Sequence, residues 1–352
     1  MGTTGESGTS PEPLLVSIVI PTYNRADLLP RAVASALVQC IRGDEVIVVD
    51  DGSTDNTEAA LAPFRDRINY VRIPNGGVSR ARNEGMRLAR NPLIAFLDSD
   101  DEWMPGKLQL QRALLQARPD IQFCFSDTTC QFDSGEVLHH FLASHYKTSR
   151  FGECLIGPGV PFSSIAPLPQ GIADFLVHIG DLYTTLMDYV CVTSQTVVAR
   201  REAVGERLRY PEDLSWREDW ECFGRLARSG PVAYIDFDTS LVYRHGGKRL
   251  TFDANMLTWA RNDVTILSRV WGSDPEFLSK HGDRFEKKLR QRQLHLIRVL
   301  LRFGRTREAR RELKHIQGSP LLYRMLAHLP GPLTRQLLAI RHAILSPNGQ
   351  ED

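Results

Sequence analysis

The sequence predicts an α/β fold: a mostly parallel sheet flanked by helices, with a C-terminal helical appendage. Three observations carry that prediction. Between Val16 and Leu97, short apolar runs rich in β-branched residues alternate with segments of helical spacing. This is the pattern of parallel strands joined by crossover helices. Polar clusters close those runs, at Tyr23-Asn24, Asp50-Asp51 and Asp98-Ser99-Asp100-Asp101, and sheets of this kind bind ligands beyond the carboxyl ends of their strands. Beyond Phe252 only helical periodicity remains.

Val16 to Ile20 reads as a buried strand ended by Pro21, and Ala26 to Val38 as a helix with Leu28, Leu29, Ala32, Val33 and Ala36 on one side. Glu45 to Val49 is the second strand, followed by a helix from about Thr54 with Ser53 or Thr54 as its cap. Asn69 to Ile73 is the third strand, Ser79 to Arg90 the next helix, and Leu93 to Leu97 the fourth strand. From Gln122 to Pro169 turn residues dominate and the alternation is lost. A helix is expected over Phe175 to Leu186, a strand over Cys191 to Ala199, and a helix over Glu218 to Arg228 closed by Gly230. Two strands follow, Val232 to Ile235 and Thr239 to Tyr243. In the appendage, Leu289, Leu296, Ile297, Leu300 and Leu301 recur at helical spacing, and Gly304 ends that helix. Thr306 is expected to cap a further helix, Arg307 to Ile316. Pro330-Gly331-Pro332 splits the last segment, Leu321 to Leu345, into two short pieces.

Composition sets the frame. The 352 residues include 42% hydrophobic and 24% charged residues, ordinary for a globular protein. Six cysteines without C-x-x-C spacing read as reduced thiols in a cytoplasmic protein without a zinc site. Residues 1–15, rich in Gly, Ser, Thr and Pro, read as a disordered leader, because they lack the parts of a signal peptide. No apolar run approaches the ~18 residues of a membrane span. The net charge of +1 conceals an asymmetry, since Arg284 to Leu345 holds 15 Lys or Arg against 3 Asp or Glu. So basic an end suits an anionic membrane surface met through 284–345, at the inner face of the plasma membrane. Nucleic acid is not the expected partner, because no aromatic stacking motif accompanies the charge. The expected organisation is thus a leader over 1–15, a catalytic domain over 16–252, a basic helical region over 253–346 and a tail over 347–352.

Taken singly, the motifs stay open. Asp98-Ser99-Asp100 would, in an extended segment, turn both carboxylates to one side. Hard oxygens at a strand end suit Mg²⁺ or Mn²⁺, yet acidic triplets are also common in loops. Asp50-Asp51-Gly52-Ser53 is either a turn or an acceptor for a base or ribose. Tyr23 either stacks on a base or packs within its loop.

In combination the alternatives narrow. VSIVIPTYNR, VVDDGSTD, NGGVSRARNEG, IAFLDSDDEWMP and a later WREDWE occur in this order. The set resembles the inverting glycosyltransferases of family 2, which have the GT-A nucleotide-sugar fold. The resemblance spans Val16 to Leu250, is tightest up to Lys107 and stops near Asp253. It implies that Pro21, Tyr23 and Asp51 hold the nucleoside, with Asn24 in the same loop, and that Asn75 and Arg82 contact the base or the ribose-diphosphate. It implies Asp98 and Ser99 on the ribose side of a D-x-D motif, Asp100 as the metal ligand, and Mn²⁺ or Mg²⁺ as cofactor. In WREDWE it implies Asp219 as the catalytic base, with Glu218 as its competitor. His245 becomes a further metal or phosphate contact, although Gly246-Gly247-Lys248-Arg249 replaces the serine-rich tail expected there.

The expected reaction is transfer of a sugar from a nucleotide diphosphate donor, UDP being the commonest carrier in such proteins. The acceptor is a glycan or lipid-linked hydroxyl in surface polysaccharide or glycolipid synthesis, with protein glycosylation as the alternative. A nucleotidyltransferase would need a glycine-rich phosphate loop after the first strand, and PTYNRADL has no glycine. A non-catalytic sugar-binding descendant would be expected to have lost the acids that are present here.

Overall fold

The structure is a computed structural model that describes residues 12–244, 256–316 and 318–345; of 339–345 only the backbone is described. These residues fall into two compact units. The chain up to Glu212, with Cys222 onward through the last strand, forms one; Asp213–Glu221 with the helices from Met256 forms the other.

In the first unit, β1 (Val16–Thr22), α1 (Leu29–Leu37), β2 (Glu45–Asp50), α2 (Thr57–Ala60), β3 (Asn69–Arg72), α3 (Val78–Leu88) and β4 (Leu93–Phe96) follow one another. They are succeeded by β5 (Glu102–Trp103), α4 (Lys107–Ala117), β6 (Phe123–Phe132), β7 (Val137–Leu138), α5 (Phe141–His145) and α6 (Phe151–Leu155). Then come β8 (Gly159–Pro161), β9 (Leu176–Gly180), α7 (Tyr183–Leu186), β10 (Val198–Arg200), α8 (Glu218–Ala227), whose first turn through Glu221 belongs to the second unit, and β11 (Val232–Arg244). One sheet runs in the order β3-β2-β1-β4-β10-β6-β11-β9-β8, with β5 against β11 and β7 against β6. The first four strands are parallel, whereas β10 is antiparallel to both β4 and β6. β1 lies between β2 and β4, so the chain reverses direction across the sheet there, and its crevice is where such sheets take ligands.

The strands are apolar because both faces are covered. Val16, Ile18, Ile20, Val46 and Val48 pack with Leu29, Val33 and Ala36 of α1. On α3, Gly85 allows the helix to approach the sheet: a Cβ there would stand 2.3 Å from the Val19 side chain.

Several sequence expectations are corrected. β1 runs through Pro21 to Thr22, because proline with its fixed φ is accommodated in extended backbone. The helix after β2 starts at Thr57 with Asn56 at its cap position; Ser53 instead accepts from the backbone of Asn24. Phe175 to Leu186 is not one helix. Its first half is β9, paired on both sides by β8 and β11, and sheet pairing overrides its helical spacing. Of the strand expected over Cys191 to Ala199, only Val198 and Ala199 are strand, in β10. The two expected strands after Pro231 are one, interrupted by register shifts on either side of Asp238.

In the second unit, α9 (Met256–Val270), α10 (Pro275–Arg302), α11 (Thr306–Leu313), α12 (Leu321–His328) and α13 (Gly331–Leu345) form a helical assembly. Asp274 caps α10 by accepting from Glu276 and Phe277 backbone. Leu296, Ile297, Leu300 and Leu301 are buried with Ala260, Ala309, Ile316, Leu326 and Ala327. Gly304, at φ +70°, ends α10 as expected and lies against Gly331, where a Cβ would meet the Gly304 carbonyl at 2.4 Å. Thr306 is the first residue of α11, not its cap.

Candidate active site

Nine of the expected site residues gather at the carboxyl ends of β1, β2 and β4, and they fall into two kinds of environment.

At the ends of β1 and β2 the acids are sealed and hold backbone. Asp50 is 1% exposed; it accepts from Ser53 N at 2.7 Å and from the Tyr70 hydroxyl at 2.6 Å. Burial and the neighbouring Asp50 push the Tyr70 hydroxyl well above its ordinary range. Asp51, 4% exposed, accepts from Gly76 N (2.7 Å), Gly77 N (2.8 Å) and Asn75 Nδ2 (3.2 Å). Gly52, at φ +77°, lets the chain turn beneath this loop, since a Cβ would come within 2.9 Å of Asn75 N. Asn24, also at positive φ, accepts through Oδ1 from Thr54 N at 2.7 Å and so braces the loop after β1 to the loop after β2. Pro21 is buried in β1, while the Tyr23 side chain is 46% exposed.

At the end of β4 the acids are open and face arginines. Asp98 to Asp101 is a turn closed by Asp101 N donating to Asp98 O at 3.1 Å. The D-x-D carboxylates are therefore presented by a turn and not by an extended strand, as the sequence reading had it. Asp98, its side chain 27% exposed, accepts from Arg82 at 2.7 Å; Asp100, 24% exposed, lies 3.8 Å from Arg25. Arg82 is carried by α3 and lies over the Tyr210 ring at 4.9 Å. Ser99 and Asp101 are buried, and Asp101 accepts from Tyr243 N at 3.4 Å. Partly exposed carboxylates flanked by cations form a donor set that fits a hard divalent cation and an anionic ligand together.

Sequence reasoning missed the floor of this end. Trp103 donates through Nε1 to Gln195 O at 3.0 Å. Lys107, fully buried, donates to Thr196 O at 3.0 Å and Thr239 Oγ1 at 3.3 Å, and burial lowers its ammonium to about 7. Because β10 is antiparallel to β4, the short turn Ser194–Thr196 before it stands at β4's carboxyl end. Gln195 is 7% exposed. No local pattern marks it, since its environment is set by Trp103, 92 residues away.

Glu218 and Asp219 open α8, directly after Arg217, which has φ +60°. Asp219 Oδ1 accepts from Trp220 N at 2.8 Å. Within the second unit Asp263, 3% exposed, pairs with Arg217 at 2.6 Å and Arg292 at 3.2 Å, which fixes the residue preceding the acidic pair. Burial raises the Asp263 carboxyl despite both arginines. One turn after Asp219, Phe223 stands edge-on to Phe96 of β4, with centroids 6.4 Å apart. His245 lies outside the described residues.

Two other features are distinct from this site. A cavity of about 540 Å³ is lined by Arg80, Asn83, Glu84 and Arg87 of α3 with Leu208 and Arg209, and by none of the expected site residues. Asp127, His140 and Asp236 could ligate an ion by distance. Asp127, however, already accepts from Thr128 N, Leu142 N and the Tyr234 hydroxyl, the pattern of a carboxylate capping α5.

The family model for glycosyl transferase family 2 matches residues 17–165. Those residues are a family 2 glycosyltransferase domain. A putative teichuronic acid biosynthesis glycosyltransferase, TuaG of Bacillus subtilis, is 36% identical over 132 residues, covering 36% of this chain and 52% of that one. Among solved structures, the S. aureus TarS fragment in complex with UDP-GlcNAc superposes at TM-score 0.53 with 16% identity over 85% of this chain and 88% of that one. The mannosyltransferase PcManGT from Pyrobaculum calidifontis, in complex with GDP-Man and Mn²⁺, gives 0.54 with 16% identity over 96% and 82%. The family 2 domain therefore has the GT-A fold expected of it. The chain spans about a third of the length of the first curated relatives it matches.

Proposed function

We propose that the chain is an inverting, metal-dependent glycosyltransferase that moves a sugar from a nucleoside diphosphate donor, UDP-linked by preference, to a hydroxyl acceptor. The observation that carries this reading is the turn after β4, where partly exposed Asp98 and Asp100 face Arg82 and Arg25. In this reading Asp100, with Asp98 and with His245, holds Mn²⁺ or Mg²⁺. A bound divalent ion supplies positive charge beside the leaving diphosphate. Tyr23 offers its exposed ring to the base. A carboxylate has about four acceptor sites; Asp51 uses three on the loop after β3, which leaves one for a base N–H. Arg82 places a fixed cation at the diphosphate.

Asp219, with Glu218 as competitor, accepts the acceptor's proton. As that oxygen bonds to the anomeric carbon, the bond from this carbon to the diphosphate oxygen breaks, and the centre inverts. The ion pair with Asp263 positions Arg217, the residue before Glu218. The catalytic part is 16–252, with 253–346 as a basic helical partner. The acceptor class is a surface polysaccharide or glycolipid intermediate, supported by the name of the Bacillus relative. UDP and Mn²⁺ are supported by the complexes of the two solved neighbours. The working location is the cytoplasmic face of the plasma membrane.

A panel of nucleotide sugars with Mn²⁺ or Mg²⁺, read by thermal shift and slow donor hydrolysis, tests the proposal. One donor should stabilise the protein and be hydrolysed only with the ion. No response to any nucleotide sugar in either ion would refute it.

A further inference from the structure

Twelve large hydrophobic side chains are exposed among the described residues, and six of them lie between Phe303 and Leu337. The concentration is not an accident of the α10 stripe. Leu296, Ile297, Leu300 and Leu301, which recur at helical spacing in the sequence, are consumed by packing against α9, α11 and α12. What remains outside is a different set. On α12, Leu321 is 71% exposed, Leu322 43% and Met325 62%, while Leu326 and Ala327 point into the core. On α13, Leu333 and Leu337 are each 42% exposed, one turn apart, and Thr334 between them is buried. Arg324, His328 and Arg335 stand among these residues, exposed. From Leu313 to Leu345 the chain contains no Asp or Glu.

We infer that the outer faces of α12 and α13 form a membrane-docking surface that lies in the interface of an anionic bilayer. The inference deepens the membrane location proposed above by naming its residues, and it is independent of which sugar is transferred. Apolar side chains backed by a packed inner face, with arginine and without acid, are the composition of an interfacial helix. A protein-binding patch would be expected to carry charges of both signs at its rim. The depth of insertion is limited, since no helix among the described residues is long and apolar enough to cross a membrane. The buried inner residues keep both helices on the body of the unit, so the surface is presented preformed.

The test is flotation of the full chain with vesicles of phosphatidylglycerol and phosphatidylcholine, or of phosphatidylcholine alone, at low ionic strength. The wild type should float with the anionic vesicles. The variant L321S/M325S/L337S should float about tenfold less, and R335Q should float less and with weaker salt dependence. Thermal unfolding and donor hydrolysis in solution should be unchanged in both. V38S/I41S, which removes exposed apolar residues elsewhere, should float like the wild type. Absence of wild-type flotation, equal flotation of the triple variant, or a loss in V38S/I41S as large as in the triple variant would each overturn the inference. So would a wild-type dimer that the triple variant abolishes without any flotation, because a second copy would then cover the face. Loss of flotation with donor hydrolysis intact leaves the transferase reading standing; failure of hydrolysis with flotation intact does the reverse.

Discussion

The two acidic ends of the parallel part of the sheet are built from the same residue type and behave differently. After β2, Asp50 and Asp51 are almost wholly buried and spend their oxygens on N–H and O–H donors of their own loops. After β4, Asp98 and Asp100 keep about a quarter of their side chains exposed and are balanced by arginines. A carboxylate bonded to backbone shapes a loop, and its removal strands donors. A part-exposed carboxylate balanced loosely, as Asp100 is by Arg25 at 3.8 Å, contributes little stability but can exchange partners for an ion. Substitutions at the two ends should therefore separate stability from turnover.

Asp100→Ala should have the largest effect on activity, a loss of at least about 10³-fold in metal-dependent transfer, with thermal stability nearly unchanged. Activity assays beside thermal melts check both halves, and a folded, fully active variant would erase the distinction between the ends. Asp219→Asn should lower turnover by about 10²-fold or more while donor affinity holds. If Glu218→Gln shows that loss instead, the base is the neighbouring carboxylate.

Asp51→Ala should show the opposite balance to Asp100→Ala. It leaves Gly76 N and Gly77 N without their acceptor, while Asn75 Nδ2 keeps its bond to the Asp51 carbonyl, a cost of about 1–3 kcal/mol measurable by denaturant unfolding, and weakens nucleotide binding.

These contrasts were only partly legible in the sequence. β1, β2 and β4 were readable because each is an apolar run stopped by a polar cluster. β6 was not: all residues from Phe123 to Cys130 are buried, so no alternation marks the strand, and Ser126, Asp127, Thr128 and Thr129 make it look like a loop. β9 hid behind helical spacing that only its neighbours override. The order of the site motifs was visible, but not which acids are sealed. Asp51 and Asp98 look equivalent until the loop after β3 folds onto one and Arg82 reaches the other. Lys107 and Gln195 depend on partners far along the chain.

The smallest expected effect belongs to the floor beneath β4. The native Lys107 ammonium loses its proton near pH 7, whereas in the unfolded chain it does so near 10.5. Between these values the unfolded chain binds more protons, so the contribution of this group to stability rises with pH from about 7 to 10.5 and is lowest below 7. Lys107→Met should flatten that slope. Thr196 O keeps its bond from Gln111, and Thr239 keeps Ser126, so the fold should survive. Unfolding midpoints across that pH range measure the difference.

The comparison of the two ends is tested most directly by UDP affinity with and without Mn²⁺ in the wild type, Asp100→Ala and Asp51→Asn. The ion should raise wild-type affinity by about tenfold or more. It should have no effect in Asp100→Ala, and it should act undiminished on the weaker binding of Asp51→Asn. An ion effect that survives in Asp100→Ala, or that disappears in Asp51→Asn alone, would contradict the assignment of the metal to the turn after β4.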